Sequence, residues 1–307
     1  MDIKNLEARV DEVIKSTQNL IGVGNVATYI PELANVDADN FGLAVVTVDR
    51  ERVLRGDTEL IFSMQSISKI ISLIMALEDA GEEEVFSRVG TEATEYKFNS
   101  IRPIEDRAAN PLINAGAITT ASLIRGKDVD ERFNRVVEKV KILSNSDEVT
   151  FLETVYNSEM QTTDINRSIA YYLKSKNIFS EDTEDVLDLY IRNCSIGINI
   201  EGLATIAAVL ANGGMSLDGK TQLISKKVVK ITLALMAACG MYEESGKYLM
   251  EVGFPSKSGV SGGIIGIVPG KCGICTYSPR LDGSGNSVRG KKILEELSNS
   301  LDLNIFI

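Results

Sequence analysis

Gln65-Ser66-Ile67-Ser68-Lys69 runs straight into Ile70-Ile71-Ser72-Leu73-Ile74-Met75-Ala76-Leu77. Apolar residues occupy nearly every side of the second stretch, which predicts a helix buried at the centre of the molecule rather than laid on its surface. Ser66 falls at the start of that helix, where free backbone N–H groups and the positive end of the dipole favour developing negative charge. Lys69 follows one turn later, which puts its amine beside the serine hydroxyl. Burial disfavours the ammonium form and makes a neutral amine accessible, so Lys69 is a candidate base for a Ser66 nucleophile. The S-x-x-K spacing is weak evidence alone, since about one match is expected by chance in a chain of this length.

Strand signals lie on both sides of this helix. Gly42 to Val48 is β-rich, turns at Asp49-Arg50-Glu51 and returns through Arg52 to Arg55 as a hairpin. Near the other end, Gly262 to Val268, Pro269-Gly270 and Cys272 to Tyr277 read as a second hairpin. Between about Asn110 and Ala238 the pattern is mostly helical, with one helix stopping at Asn212-Gly213-Gly214. Leu6, Val10, Val13 and Ile14 recur at helical spacing at the start of the chain, as do Ile293, Leu294, Leu297 and Leu301 at its end. The expected class is α+β: an antiparallel sheet assembled from both termini and flanked by helices, with a mainly helical domain inserted in the middle. The sheet part would span about 1–65 and 245–307 and the helical part about 66–244, in a single working unit covering 1–307.

The composition narrows the chemistry. The chain has 307 residues, roughly two domains' worth by length. It carries 43 Asp and Glu against 32 Lys and Arg, a net charge of −11, which repels phosphate backbones and anionic membrane surfaces. No nucleic-acid or membrane partner is expected. The chain contains no histidine. A Ser-His-Asp triad, a Cys-His dyad and every histidine-containing metal site are thereby excluded, leaving Lys, Tyr, Cys and carboxylates for proton transfer.

Cysteines occur at 194, 239, 272 and 275. Cys272 and Cys275 form a C-x-x-C, yet they sit on a predicted strand, where residues three apart face opposite sides, and nothing completes a metal set. No metal and no organic cofactor is expected. The N-terminal segment reads as an amphipathic helix rather than an export signal, and no stretch is long and apolar enough to span a bilayer, so a cytoplasmic location is expected.

Lys257-Ser258-Gly259-Val260-Ser261-Gly262-Gly263 opens a strand near the C-terminus. A K-[ST]-G triplet on a strand edge, paired with S-x-x-K on a buried helix, is the layout of the serine β-lactamase and penicillin-binding superfamily. Its small residues let the backbone approach a ligand, and a strand-edge N–H can complete an oxyanion hole with the nucleophile's own N–H.

Further segments sharpen the resemblance. They include Thr28-Tyr29-Ile30-Pro31, Asn110-Pro111-Leu112-Ile113-Asn114-Ala115-Gly116, Ser158-Glu159, Tyr190 with Cys194-Ser195, Ala211-Asn212-Gly213-Gly214, Cys239-Gly240-Met241-Tyr242 and Gly285-Asn286-Ser287-Val288-Arg289-Gly290. Together with the two motifs they cover nearly the whole chain, in order, and the set resembles the serine-dependent glutaminases. These share the β-lactamase-like fold and hydrolyse L-glutamine to L-glutamate and ammonia.

The resemblance implies Ser66 as nucleophile, Lys69 as its dyad partner and Tyr242 as an aid to proton transfer, with a covalent glutamyl-enzyme on the path. It implies substrate contacts at Tyr29, Ser66, Asn114, Glu159, Asn166, Tyr190, Tyr242 and Val260, and a homodimer or homotetramer. The chemistry suits glutamine: Glu159 offers a carboxylate to the α-ammonium, and amide and phenol donors suit the α-carboxylate. Two positions depart from the family pattern. Ile165 precedes Asn166 where the family usually has arginine, and Ala109 precedes the Asn-Pro pair where histidine is common. A β-lactamase or peptidoglycan peptidase shares the two-motif frame but would need export, and a non-catalytic amino-acid sensor would not need both Ser66 and Lys69.

Overall fold

The computed structural model describes residues 2–307. Five strands form the main sheet: β1 Gly42–Thr47, β2 Arg52–Gly56, β6 Ser256–Ser258, β7 Gly263–Val268 and β8 Cys272–Tyr277. Their order is β2-β1-β8-β7-β6, every neighbouring pair antiparallel. β1 lies beside β8, pairing Val45 with Ile274 and Ala44 with Cys275, so the two hairpins read from opposite ends of the chain are joined into one sheet. A second sheet, absent from the sequence reading, has order β3-β5-β4 and is built from β3 Phe62–Ser63, β4 Thr150–Phe151 and β5 Ile196–Ile198.

Helices account for most of the rest. They are α1 Ile3–Ser16, α2 Ser68–Asp79, α3 Glu82–Arg88, α4 Asn114–Ser122, α5 Val129–Ser144, α6 Glu153–Gln161, α7 Asp164–Ser175, α8 Thr183–Cys194, α9 Ile200–Ala211, α10 Lys226–Cys239, α11 Ser245–Glu251 and α12 Val288–Ser300.

Strand periodicity sorts the main sheet into two faces. Leu43, Val45, Ile264, Val268, Cys272 and Ile274 pack with Leu6, Val10 and Val13 of α1 and Ile293, Leu294 and Leu297 of α12. Ala44, Val46, Ile265, Ile267, Cys275 and Tyr277 face the other way, toward α9 and the helical core. That core continues without a break through α2, α4, α5, α8 and α10. Cys272 and Cys275 therefore lie in different cores, and all four cysteines are buried free thiols. α9 comes very close to β8 because residue 273 is glycine: a Cβ there would stand 2.2 Å from the Ala208 backbone nitrogen.

α2 is the axis of the helical part. Every residue from Ser68 to Leu77 is buried, as its unbroken apolar pattern requires. Each large aliphatic side chain so enclosed contributes about 1.5–3 kcal/mol relative to exposure. β3 delivers the chain to its start, where the Met64 N–H donates to the Ile196 carbonyl of β5 at 2.8 Å. The edge strand β6 carries the Lys257-Ser258 pair. Among the described residues, no helix is long and apolar enough to cross a membrane.

Candidate active site

Ser66 lies in a short 3₁₀ turn, Gln65–Ile67, that feeds α2. Gln65 adopts a left-handed conformation, φ +46, which few side chains take without support from their surroundings. The turn leaves Ser66 free of any helix-capping duty: Ile67 is the cap residue of α2, with no side-chain cap. The hydroxyl instead meets Lys69, whose Nζ donates to Ser66 Oγ at 2.9 Å and to Asn114 Oδ1 at 2.6 Å. Lys69 is only 1 % exposed, far from the solvated lysine its type usually is.

Asn114 opens α4 and is anchored by its own N–H to the Phe98 carbonyl at 2.9 Å. Its side-chain Nδ2 donates to Asn166 Oδ1 at 2.8 Å, and Asn166 Nδ2 donates to Thr163 Oγ1 at 3.1 Å. Ile165, where the family usually has arginine, is exposed yet lines the site cavity, while Arg167 pairs with Glu184 and Asp164. The departure from the family pattern therefore leaves the Asn114–Asn166 link intact.

On the other wall, Gln65 Nε2 donates to Glu159 Oε2 at 3.2 Å. The Glu32 N–H donates to Ser158 Oγ at 3.1 Å, which fastens the Tyr29–Pro31 segment beside Glu159. Tyr190 is buried on α8, its ring 6.0 Å from Lys69 Nζ.

Tyr242 arrives from the sheet side. It too is left-handed, φ +56, and its turn rests on β6 because residue 240 is glycine: a Cβ there would sit 1.8 Å from the Ser256 carbonyl oxygen. The Tyr242 hydroxyl donates to the Ser258 carbonyl at 3.1 Å, on the side of the site near Ser66. Its ring packs on Phe98 at 4.7 Å between centroids.

Burial sets the electrostatics. It lowers the Lys69 pKa to about 8, against the weaker pull of Cys194 and Glu159. It raises Glu159 to about 7, with the Gln65 hydrogen bond and the Lys69 charge opposing. The phenols of Tyr242 and Tyr190 are pushed above their ordinary value, also by burial. One wall thus offers an amine poised to be neutral, another a carboxyl poised between its two forms.

Tyr29, Ser66, Asn114, Glu159, Asn166 and Tyr190 line one cavity of about 50 Å³, together with Gln65, Phe98, Thr163 and others. Val260 lines a neighbouring cavity of about 760 Å³ that shares Tyr29, Phe98 and Asn99 with the first. Tyr29 is 52 % exposed and forms part of the rim between them. Sequence reasoning passed over Gln65, Phe98, Thr163 and Lys257. Gln65 and Lys257 sat inside the quoted motifs, whereas Phe98 and Thr163 carry no local signal. Among the described residues, no group of three Cys, Asp or Glu side chains could hold a metal ion.

The glutaminase family model matches residues 24–306. The chain belongs to the glutaminase family. The glutaminase of Natranaerobius thermophilus is 45% identical over 296 residues, covering 95% of this chain and 96% of that one. The glutaminase of Clostridium tetani is 43% identical over 305 residues, covering 98% and 100%. Among solved structures, the probable glutaminase YbaS superposes with a TM-score of 0.95 at 38% identity, covering 100% of this chain and 99% of that one. The Bacillus subtilis glutaminase YbgJ, in covalent complex with 5-oxo-L-norleucine, gives a TM-score of 0.88 at 34% identity, covering 98% and 99%. The fold is thus the β-lactamase-like fold of the glutaminases, as the two-motif frame implied, and the chain is a hydrolytic enzyme with L-glutamine as substrate.

Proposed function

We propose that the enzyme hydrolyses the side-chain amide of L-glutamine by attack of Ser66, with Lys69 as base. The supporting observation is the 2.9 Å contact between the Ser66 hydroxyl and an amine that is buried and held by an amide rather than a carboxylate. In its neutral form Lys69 keeps an N–H for Asn114 and presents its lone pair to Ser66, so the same contact runs with the hydroxyl donating.

The Ser66 proton passes to Lys69, directly or through Tyr242, while Oγ bonds to the amide carbon. Among the described residues, the Ser66 and Val260 N–H groups have no protein acceptor, which suits them to hold the resulting oxyanion. The carbon–nitrogen bond then breaks, its electron pair leaving with nitrogen, which takes the proton back from the dyad and departs as ammonia. Water repeats the sequence: it gives a proton to Lys69, its oxygen bonds to the acyl carbon, and Ser66 leaves with that proton as glutamate is released.

Glu159 receives the α-ammonium, and Asn114, Asn166, Tyr29 and Tyr190 surround the α-carboxylate. Because these groups come from both the helical part and the segments beside the sheet, the chain acts as one unit. YbgJ forms its covalent complex by reaction with 6-diazo-5-oxo-L-norleucine. The same reagent tests the reading here. Peptide mapping after reaction should find the adduct on Ser66, and Ser66→Ala should neither gain the mass nor release ammonia from glutamine. An adduct on another residue would end the proposal.

A further inference from the structure

The cavity that holds Ser66 is lined by one acidic side chain, Glu159, and among the described residues by no lysine or arginine. The cations around it are committed elsewhere. Lys69 is buried against Ser66 and Asn114. Arg167 pairs with Glu184 at 3.3 Å and with Asp164 at 3.7 Å. Lys97 is exposed on the neighbouring cavity, where solvent screens its charge. The mouth is apolar as well. Ile165, on the first turn of α7, is 55 % exposed and Tyr29 is 52 % exposed, yet both line the cavity whose inner residues Ser66, Asn114 and Glu159 are buried.

We propose that this enzyme also deamidates glutamine whose α-carboxyl is an amide rather than a free carboxylate: L-glutaminamide, and the N-terminal glutamine of short peptides with an apolar second residue, with Ile165 as the residue that admits them. This rests on Ser66 attacking the side-chain amide and on Glu159 receiving the α-ammonium. Asn114, Asn166, Tyr29 and Tyr190 are neutral donors, and they serve the carbonyl oxygen of an amide as well as a carboxylate oxygen. What a neutral carbonyl forgoes is the charge-assisted part of those bonds, about half of their strength. A cation at the mouth would widen that gap, and Ile165, standing where the family usually has arginine, supplies none. The chain beyond the α-carbon leaves between Ile165 and Tyr29, where an apolar second residue removes their exposed surface from water. The α-ammonium stays indispensable, because Glu159 is the single charge that the cavity offers it. The bonds made and broken are those of glutamine hydrolysis: water is consumed, the side-chain carbon–nitrogen bond breaks, ammonia leaves, and the α-amide bond is untouched.

The test compares kcat/KM for L-glutamine, L-glutaminamide and N-acetyl-L-glutamine in the native enzyme, Ile165→Arg and Ile165→Glu. It also follows the dipeptide Gln-Leu to Glu-Leu by chromatography with mass detection, since spontaneous cyclisation of an N-terminal glutamine releases ammonia too. In the native enzyme L-glutaminamide should fall no more than about thirtyfold below glutamine, whereas acetylation of the α-amine should cost about 10³-fold or more. Ile165→Arg should raise the glutamine-to-glutaminamide ratio by about tenfold, and Ile165→Glu should lower it. Glu-Leu should form with the native enzyme and not with Ser66→Ala. A larger deficit for L-glutaminamide, a ratio that is the same in all three proteins, or no Glu-Leu would overturn the inference. Failure of the Ser66 reading looks different: Ser66→Ala would then still release ammonia from glutamine itself.

Discussion

Lys69 Nζ and Asn114 Oδ1 are 2.6 Å apart, and this contact to a neutral amide takes the place that a carboxylate would occupy in an ordinary buried ion pair. An amide accepts a hydrogen bond from the amine without adding the charge that would fix it as ammonium. The proposed mechanism depends on that choice of partner.

Converting Asn114 to aspartate should therefore be more damaging than its small change in shape suggests. A carboxylate at this distance favours the ammonium form, raising the Lys69 pKa by roughly 1–3 units above its value of about 8. Activity at pH 7.5 should fall by about tenfold or more, and the rising, acid-side limb of the pH–rate profile should move to higher pH. Measuring kcat/KM from pH 6 to 10 checks this, and an unshifted limb would contradict it.

Glu159 predicts a pH dependence of stability with a definite sign. Burial raises its pKa from 4.5 to about 7, so between those values the folded protein binds more protons than the unfolded chain. The contribution is full below about pH 4.5 and is lost as pH rises through about 7. Glu159→Gln should abolish that dependence, stabilising the fold at pH 8 by up to about 3 kcal/mol while raising KM for glutamine. Urea unfolding of both proteins at pH 5 and pH 8 distinguishes this from a purely structural carboxylate, for which the difference would not change with pH.

Gly240 couples the sheet to the Tyr242 turn. A methyl group there meets the Ser256 carbonyl at 1.8 Å, so Gly240→Ala must displace β6 or the turn. Loss of about 2 kcal/mol or more in denaturant unfolding is expected, with a larger fractional fall in kcat than in folded protein. A native midpoint with native kcat would show that the turn has room to move.

Much of this architecture was legible in the sequence, and the reasons are physical. The two hairpins carried their own turn residues, and α2 announced itself as buried because no polar face interrupts Ile70 to Leu77. Cys272 and Cys275 were separable by strand alternation alone. The three-stranded sheet was not readable, because β3 and β4 are two residues long and their pairing with β5 is decided by tertiary packing. In the site, Ser66 and Lys69 could be paired by helix geometry, since they are one turn apart. The reach from Gln65 to Glu159, and from Asn114 to Asn166, spans distant segments that no local spacing connects. The family resemblance supplied Glu159, Asn114 and Asn166 but not Gln65; the folded chain supplies their hydrogen bonds.

The most direct measurement is ammonia release from glutamine at pH 8 by Ser66→Ala, Lys69→Met and the double variant. If one proton-transfer unit links the two side chains, each single change removes it entirely, and losses of about 10³-fold or more should be similar and should not multiply in the double variant. Retention of more than about a tenth of native activity by Lys69→Met would contradict the account.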